Sequence, residues 1–260
     1  PVEEYTCRVI AIAHRENDVE DKLVAAPEGM SFTKVEIENA IHFQEIPSRT
    51  LMERAAHGVV SALLHSELFQ ITPQTRIWAL CGGGNNGGDG FAAARFLKQA
   101  GYEVTVCYAG RWHSHVPHSA NMSQECIQQY TLWIACGGSV TRSLPDDLSP
   151  DRDVIIDALL GIGLHDTPTG LYAQWIDAVN AAGLPVLSVD IPSGVVADDG
   201  TVPGSAIHAT LTVTMAFPKY GLLLYPGAGY AGKISILDIG VNDTVLFEHP
   251  PCPTTLYVQP

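Results

Sequence analysis

Three polar, glycine-bearing stretches stand out in the chain: Asn85-Asn86-Gly87-Gly88-Asp89-Gly90, Asp157-Ala158-Leu159-Leu160-Gly161 and Val189-Asp190-Ile191-Pro192-Ser193-Gly194. Asp157 and Asp190 each follow an apolar run of strand type. One aspartate at a strand end is ordinary, because Asp caps turns. Two of them beside Asn86 and Ser193 make a set rich in oxygen, and hard cations prefer oxygen ligands. Few carboxylates among several neutral oxygens suit a monovalent cation, although residue types alone do not separate it from Mg²⁺.

The first stretch extends a glycine-rich turn that begins at Cys81. Gly82, Gly84 and Gly87 match the dinucleotide fingerprint GxGxxG, between the apolar run Ile77-Trp78-Ala79-Leu80 and a helical pattern from Phe91 to Ala100. Such turns bind phosphate, since backbone N–H groups point outward at a helix start and the dipole favours anions. A nicotinamide dehydrogenase also needs an acidic residue at the end of the next strand, to hold the ribose. That strand ends here in Tyr108-Ala109-Gly110-Arg111, and Asp89 stands where it would repel a pyrophosphate. A turn that merely packs helix on strand would explain the glycines but not Asn85, Asn86 and Asp89 together.

These groups need strands and helices to carry them. Strand patterns fall at Arg76 to Leu80, Val104 to Tyr108, Asp153 to Asp157, Pro185 to Asp190, Leu211 to Ala216 and Lys233 to Leu237. Helical patterns fall at Val35 to Ile41, Leu51 to Leu68, Gly88 to Gln99, Ser119 to Trp133 and Gly170 to Ala182, with Ser31 or Thr33 and Ser48 as candidate caps of the first two. The alternation predicts an α/β fold with a mostly parallel central sheet covered on both faces. We read one domain over residues 30–260. Residues 1–29 form an N-terminal extension, a strand and linker that is partly non-native if Met30 is the natural start. Ligands of such sheets bind beyond the carboxyl ends of the strands. Four polar ends meet that rule: the glycine turn, Asp157 to Gly163, Asp190 to Gly194, and Phe217-Pro218-Lys219-Tyr220-Gly221.

The formal net charge of −14 repels phosphate backbones and anionic lipid, so neither nucleic acid nor membrane is expected as a partner. An anionic small molecule must be held by backbone N–H groups or a few cations. Six cysteines without a CxxC pair indicate reduced thiols and a cytoplasmic protein. No run reaches transmembrane length. The run His113, His115 and His118 reads as an exposed loop, and the acidic stretch from Asp146 to Asp153 as a solvated lead into a strand. Ser193 lacks the GxSxG frame of a hydrolase elbow.

In this order and spacing, the three stretches resemble the YjeF N-terminal family, over roughly residues 33–240; Leu51-Met52-Glu53-Arg54-Ala55-Ala56 and Pro218-Lys219 fit as well. The resemblance implies a Rossmann-like three-layer αβα sandwich and a potassium ion held by Asn86, Asp157 and Ser193. It implies a substrate bound by Asn85, Asn86, Gly87, Gly88 and Asp89, by Gly161, Ile162, Gly163, Leu164, His165, Asp166 and Thr167, and by Asp190 and Lys219. Enzymatic members epimerise hydrated NAD(P)H, which makes Asp190 the expected catalytic residue. The hydrated ring carries a hydroxyl at C6, a hemiaminal carbon. Its configuration is lost by ring opening and reclosure or by loss and return of hydroxide, and either route needs a proton acceptor or donor beside the hydroxyl. The resemblance further implies a homodimer and an ADP- or ATP-dependent dehydratase acting in the same pathway. The alternative is a non-catalytic scaffold or protein-binding module on the same fold. One departure is Gly110-Arg111, where some family members carry lysine.

Overall fold

The computed structural model describes residues 10–12, 23–25, 46–114 and 116–241. Strands β1 (Ile10–Ile12) and β2 (Leu23–Ala25) pair as an antiparallel ribbon. The helix expected at Val35 to Ile41, with its caps, lies outside the described residues. The main body runs α1 (Ser48–His65), β3 (Arg76–Cys81), α2 (Asn85–Gln99), β4 (Glu103–Tyr108), β5 (Trp112–His113), β6 (Val116–Pro117), α3 (Gln124–Ala135), β7 (Val140–Thr141), β8 (Asp153–Ala158), α4 (Leu171–Ala182), β9 (Val186–Val189), β10 (Leu211–Met215) and β11 (Lys233–Leu237).

Seven strands form one sheet in the order β11-β10-β9-β8-β3-β4-β7, and every pairing in it is parallel. The chain leaves β3 in one direction, through β4 to β7. It then returns to the other side of β3, where β8 begins the second half. The β3/β8 boundary is therefore the topological switch point, where open α/β sheets bind ligands.

Alternation along the strands builds the layers. Ile77, Ala79 and Cys81 of β3, with Val154, Ile156 and Ala158 of β8, pack under the buried faces of α1, α2 and α3. Leu80 and Ile155 point to the other face, where Trp175, Ile176 and Val179 of α4 cover them. The loop residues Ile191, Val195, Ala197 and Ala206 form a third, separate cluster with Leu222 and Ala231. All six residues of β8 are buried, as expected of a central parallel strand.

Three local differences from the sequence reading have physical causes. Helix α1 starts at Ser48 itself after Pro47, without a side-chain cap, because proline's fixed φ already suits a helix start. The predicted helix from Ser119 divides into a short 3-10 turn, Ser119–Asn121, and α3, whose Ser123 hydroxyl accepts the Cys126 N–H at 3.1 Å. Helix α2 begins at Asn85 rather than Gly88. The Asn-Asn-Gly-Gly run is thus the first turn of a helix, not a loop leading to one.

Candidate active site

The site is assembled at the switch point by close backbone approach. A Cβ on Gly87 would lie 1.9 Å from the Gly82 carbonyl oxygen, so only glycine lets the first turn of α2 sit on the end of β3. A Cβ on Gly161 would meet the Asn86 Cβ at 3.0 Å, which brings the loop after β8 against the same turn. Gly84, the N-cap, is extended, exposed and without a capping side chain, and Asn85 is exposed. The open N–H groups of this first turn face outward, a ready anion site.

Beneath the turn lies the oxygen cluster. Asp157 is fully buried, accepting from the hydroxyls of Ser193 (2.5 Å) and Ser188 (2.8 Å) and from the Ser193 N–H (2.9 Å). The Ser193 oxygen also accepts the Leu160 N–H at 2.9 Å. Asn86 donates its amide N–H to the Leu160 carbonyl at 3.0 Å, while its amide oxygen is buried with no partner among the described residues. Burial pushes the Asp157 carboxyl above its usual range, against the pull of the Ser193 and Ser188 hydrogen bonds. A buried acid without a counter-charge and an orphaned amide oxygen are what a cation between them would satisfy. The three expected ligands Asn86, Asp157 and Ser193 are thus brought together. The donors are one carboxylate and neutral oxygens. Among the described residues no cluster of three His, Cys, Asp or Glu side chains occurs. His113 and His118 stack edge to face at 5.9 Å on the β5–β6 hairpin, and His115 lies outside the described residues.

Asp190 stands one residue past β9 with φ of 68°, a left-handed conformation rare for non-glycine residues and frequent at functional sites. Its carboxylate accepts the Met215 N–H at 3.1 Å and the Thr214 hydroxyl at 3.3 Å, and pairs with the Lys219 ammonium. Lys219 is 1% exposed. Its remaining contacts are the Thr214 hydroxyl and the Met215 carbonyl, both at 2.9 Å. All three ammonium protons are used within the protein. Lys219, expected on the substrate, has its ammonium committed to Asp190, Thr214 and Met215.

Asp89, partly buried in the first turns of α2, makes no hydrogen bond to any described residue. Burial and the negative charge of Asp190 push its carboxyl well above the usual range, with Lys219 opposing. In the loop after β8, Gly163, His165, Asp166 and Thr167 are exposed while Gly161 and Ile162 are half-buried. Leu164 buries its side chain and closes a turn by donating its N–H to the Gly161 carbonyl at 3.2 Å; Thr167 donates to the Pro203 carbonyl at 3.1 Å. Sequence reasoning missed Ser188 and Thr214. Part of the signal was present: each is a hydroxyl inside a buried strand, Ser188 alone in β9 and Thr214 beside Thr212 in β10, and each donates to a strand-end aspartate.

Known proteins resemble this chain over most of its length. The family profile described as YjeF-related protein N-terminus matches residues 48–221, more than half of the chain. A Limosilactobacillus fermentum protein named NAD(P)H-hydrate epimerase is 38% identical over 193 residues, covering 74% of this chain and 86% of that one. A Levilactobacillus brevis protein of the same name is 37% identical over 204 residues, covering 78% and 89%. A Moorella thermoacetica protein named bifunctional NAD(P)H-hydrate repair enzyme Nnr is 37% identical over 198 residues, 75% of this chain and 37% of that protein. The crystal structure of yeast ynu0 superposes with a TM-score of 0.60 at 22% identity, covering 74% and 83%, which bears on the fold alone. The chain belongs to the YjeF-related protein N-terminus family.

Proposed function

We propose that this chain interconverts the 6R and 6S forms of hydrated NADH and NADPH, the repair of a damaged nicotinamide cofactor. The observation that carries the reading is the Asp190–Lys219 pair at a strand end beside the switch point. The pair holds a carboxylate in a fixed orientation at a strand end, backed by a lysine whose protons are all committed. The hydrated ring would lie against Asp190, which accepts the C6 hydroxyl proton. The ligand's phosphates would lie over the open first turn of α2, held by N–H groups rather than by basic side chains, as an acidic protein requires. The exposed loop residues Gly163, His165, Asp166 and Thr167 would line the same anion.

A potassium ion held by Asn86, Asp157 and Ser193 would supply positive charge under the phosphates and neutralise the buried carboxylate. The orphaned Asn86 oxygen supports this, and a scaffold would have no use for it. The bifunctional relative suggests a dehydratase acting on the epimer that this chain releases. No helix of the described residues is long and apolar enough to cross a membrane, and Cys81, Cys107, Cys126 and Cys136 are free thiols, in keeping with a cytoplasmic setting. A homodimer remains part of the reading. The test is incubation with 6R hydrated NADH plus a dehydratase specific for the S form and its nucleotide. Full consumption at a rate set by this protein supports the proposal, and consumption at the spontaneous rate overturns it.

A further inference from the structure

The epimerisation needs two proton-transfer groups, and Asp190 is one. The second is found by following the first turns of α2. Gly88 faces α1 and α3: a Cβ there would meet Met52 at 2.8 Å and Cys126 at 3.3 Å. Gly90 faces the sheet: a Cβ there would meet Ala158 at 2.6 Å and Cys81 at 2.7 Å. Asp89, a third of a turn from each, can face neither layer. Its carboxyl lies within the electrostatic reach of Asp190 and Lys219. The other titratable groups around it are the thiols of Cys81 in β3 and Cys126 in α3, the latter pushed up to about 12 by burial and by Asp89 itself. Neither thiol supplies a charge. Lys219 cannot turn to Asp89, because its protons go to Asp190, Thr214 and Met215. Asp89 is therefore a carboxyl without a hydrogen-bond partner among the described residues, coupled through its charge to a carboxylate that has one. Two acids whose surroundings differ in this way divide the acid and base roles.

Resting on the epimerase reading, we propose that Asp89 is the proton donor of the reaction, working opposite Asp190. Asp190 takes the proton of the C6 hydroxyl. The C6–N1 bond breaks, its electron pair stays on N1, and N1 takes the proton of Asp89. The product is an open-chain aldehyde with an N–H group. Rotation about C5–C6 presents the other carbonyl face. N1 then attacks C6 and returns its proton to Asp89, while the carbonyl oxygen takes the proton held by Asp190. Both acids finish as they began, and no water, oxidant or second substrate is consumed.

The test is Asp89→Asn, nearly isosteric, measured beside the wild type for kcat, KM and melting temperature across pH. The wild type shows an alkaline limb, kcat falling as Asp89 loses the proton it must give. Asp89→Asn loses about 10²–10⁴-fold in kcat, keeps its KM, lacks that limb, and melts no lower than wild type at neutral pH. A variant with wild-type kcat, or with a raised KM alone, overturns the proposal and leaves Asp89 a phosphate-loop residue. Should the variant not fold, a wild-type kcat that never falls on the alkaline side overturns it as well. A wild-type protein without epimerase activity overturns the functional reading instead, so the two failures are distinct.

Discussion

Replacing Lys219 by methionine removes the cation behind Asp190 while keeping most of the buried aliphatic volume. In the native protein Lys219 is 1% exposed and satisfied by three oxygens. Removing one partner of a buried pair costs about 3–5 kcal/mol, mostly from the charge left behind. The Asp190 side chain is 15% exposed and keeps the Met215 N–H, so water relieves part of that penalty and we expect the lower end, about 3 kcal/mol. At about 2–4 °C per kcal/mol for a domain of this size, the melting temperature falls by about 6–12 °C. Activity falls with it, because Asp190 loses its fixed orientation. The double variant Lys219→Met/Asp190→Asn carries no unpaired charge and regains much of the stability of the worse single variant. Thermal unfolding of wild type, both singles and the double at neutral pH gives the coupling directly. Additive losses, or a Lys219→Met protein that melts as wild type, would refute the view that this pair holds the catalytic carboxylate.

The far end of the sheet carries a separate ion pair with a distinct pH signature. Asp153 is fully buried and accepts from Arg76 Nε at 2.7 Å, Trp78 Nε1 at 2.9 Å and the Ser149 N–H at 2.8 Å. Burial pushes this acid up, but the bonds from Arg76 and Trp78 outweigh it and hold the carboxyl below its usual range. Its stabilisation is therefore complete above the unfolded value near about 4 and is lost as pH falls through the lower folded value. Arg76→Met should cost about 3–5 kcal/mol at neutral pH, and the difference from wild type should narrow in denaturant titrations at acid pH. At the oxygen cluster, exchanging potassium for a bulky quaternary ammonium ion should lower both activity and melting temperature. At a hundred times its dissociation constant a bound ion contributes about 2.7 kcal/mol, and Asn86→Ala should abolish that salt response.

The alternation of apolar runs with polar strand ends was enough to locate β3, β4 and β8 through β11 to within a residue or two, because buried parallel strands are continuous apolar runs. The two-residue strands β5, β6 and β7 carry no such run and were not anticipated. The oxygen cluster was legible because two strand-end aspartates, Asp157 and Asp190, occur together with Asn86 and Ser193 in polar, glycine-bearing stretches. The role of Lys219 was not. A lysine at a polar strand end reads as a cation for the ligand, whereas in the structure its ammonium is turned to Asp190, Thr214 and Met215. Asp89 reads as part of the phosphate turn from the Asn-Asn-Gly-Gly-Asp run alone; only the packing of α1 and α3 against Gly88 and of the sheet against Gly90 sets it apart from the residues on either side.

The central claim is that this chain moves a proton at C6 of a hydrated nicotinamide. Its most direct test uses the protein alone with the purified 6R form, following both epimers by chromatography or proton NMR. The account predicts rapid approach to the equilibrium mixture of 6R and 6S, and no acceleration over buffer by Asp190→Ala. An unaccelerated wild-type reaction, or an Asp190→Ala protein as fast as wild type, would contradict it.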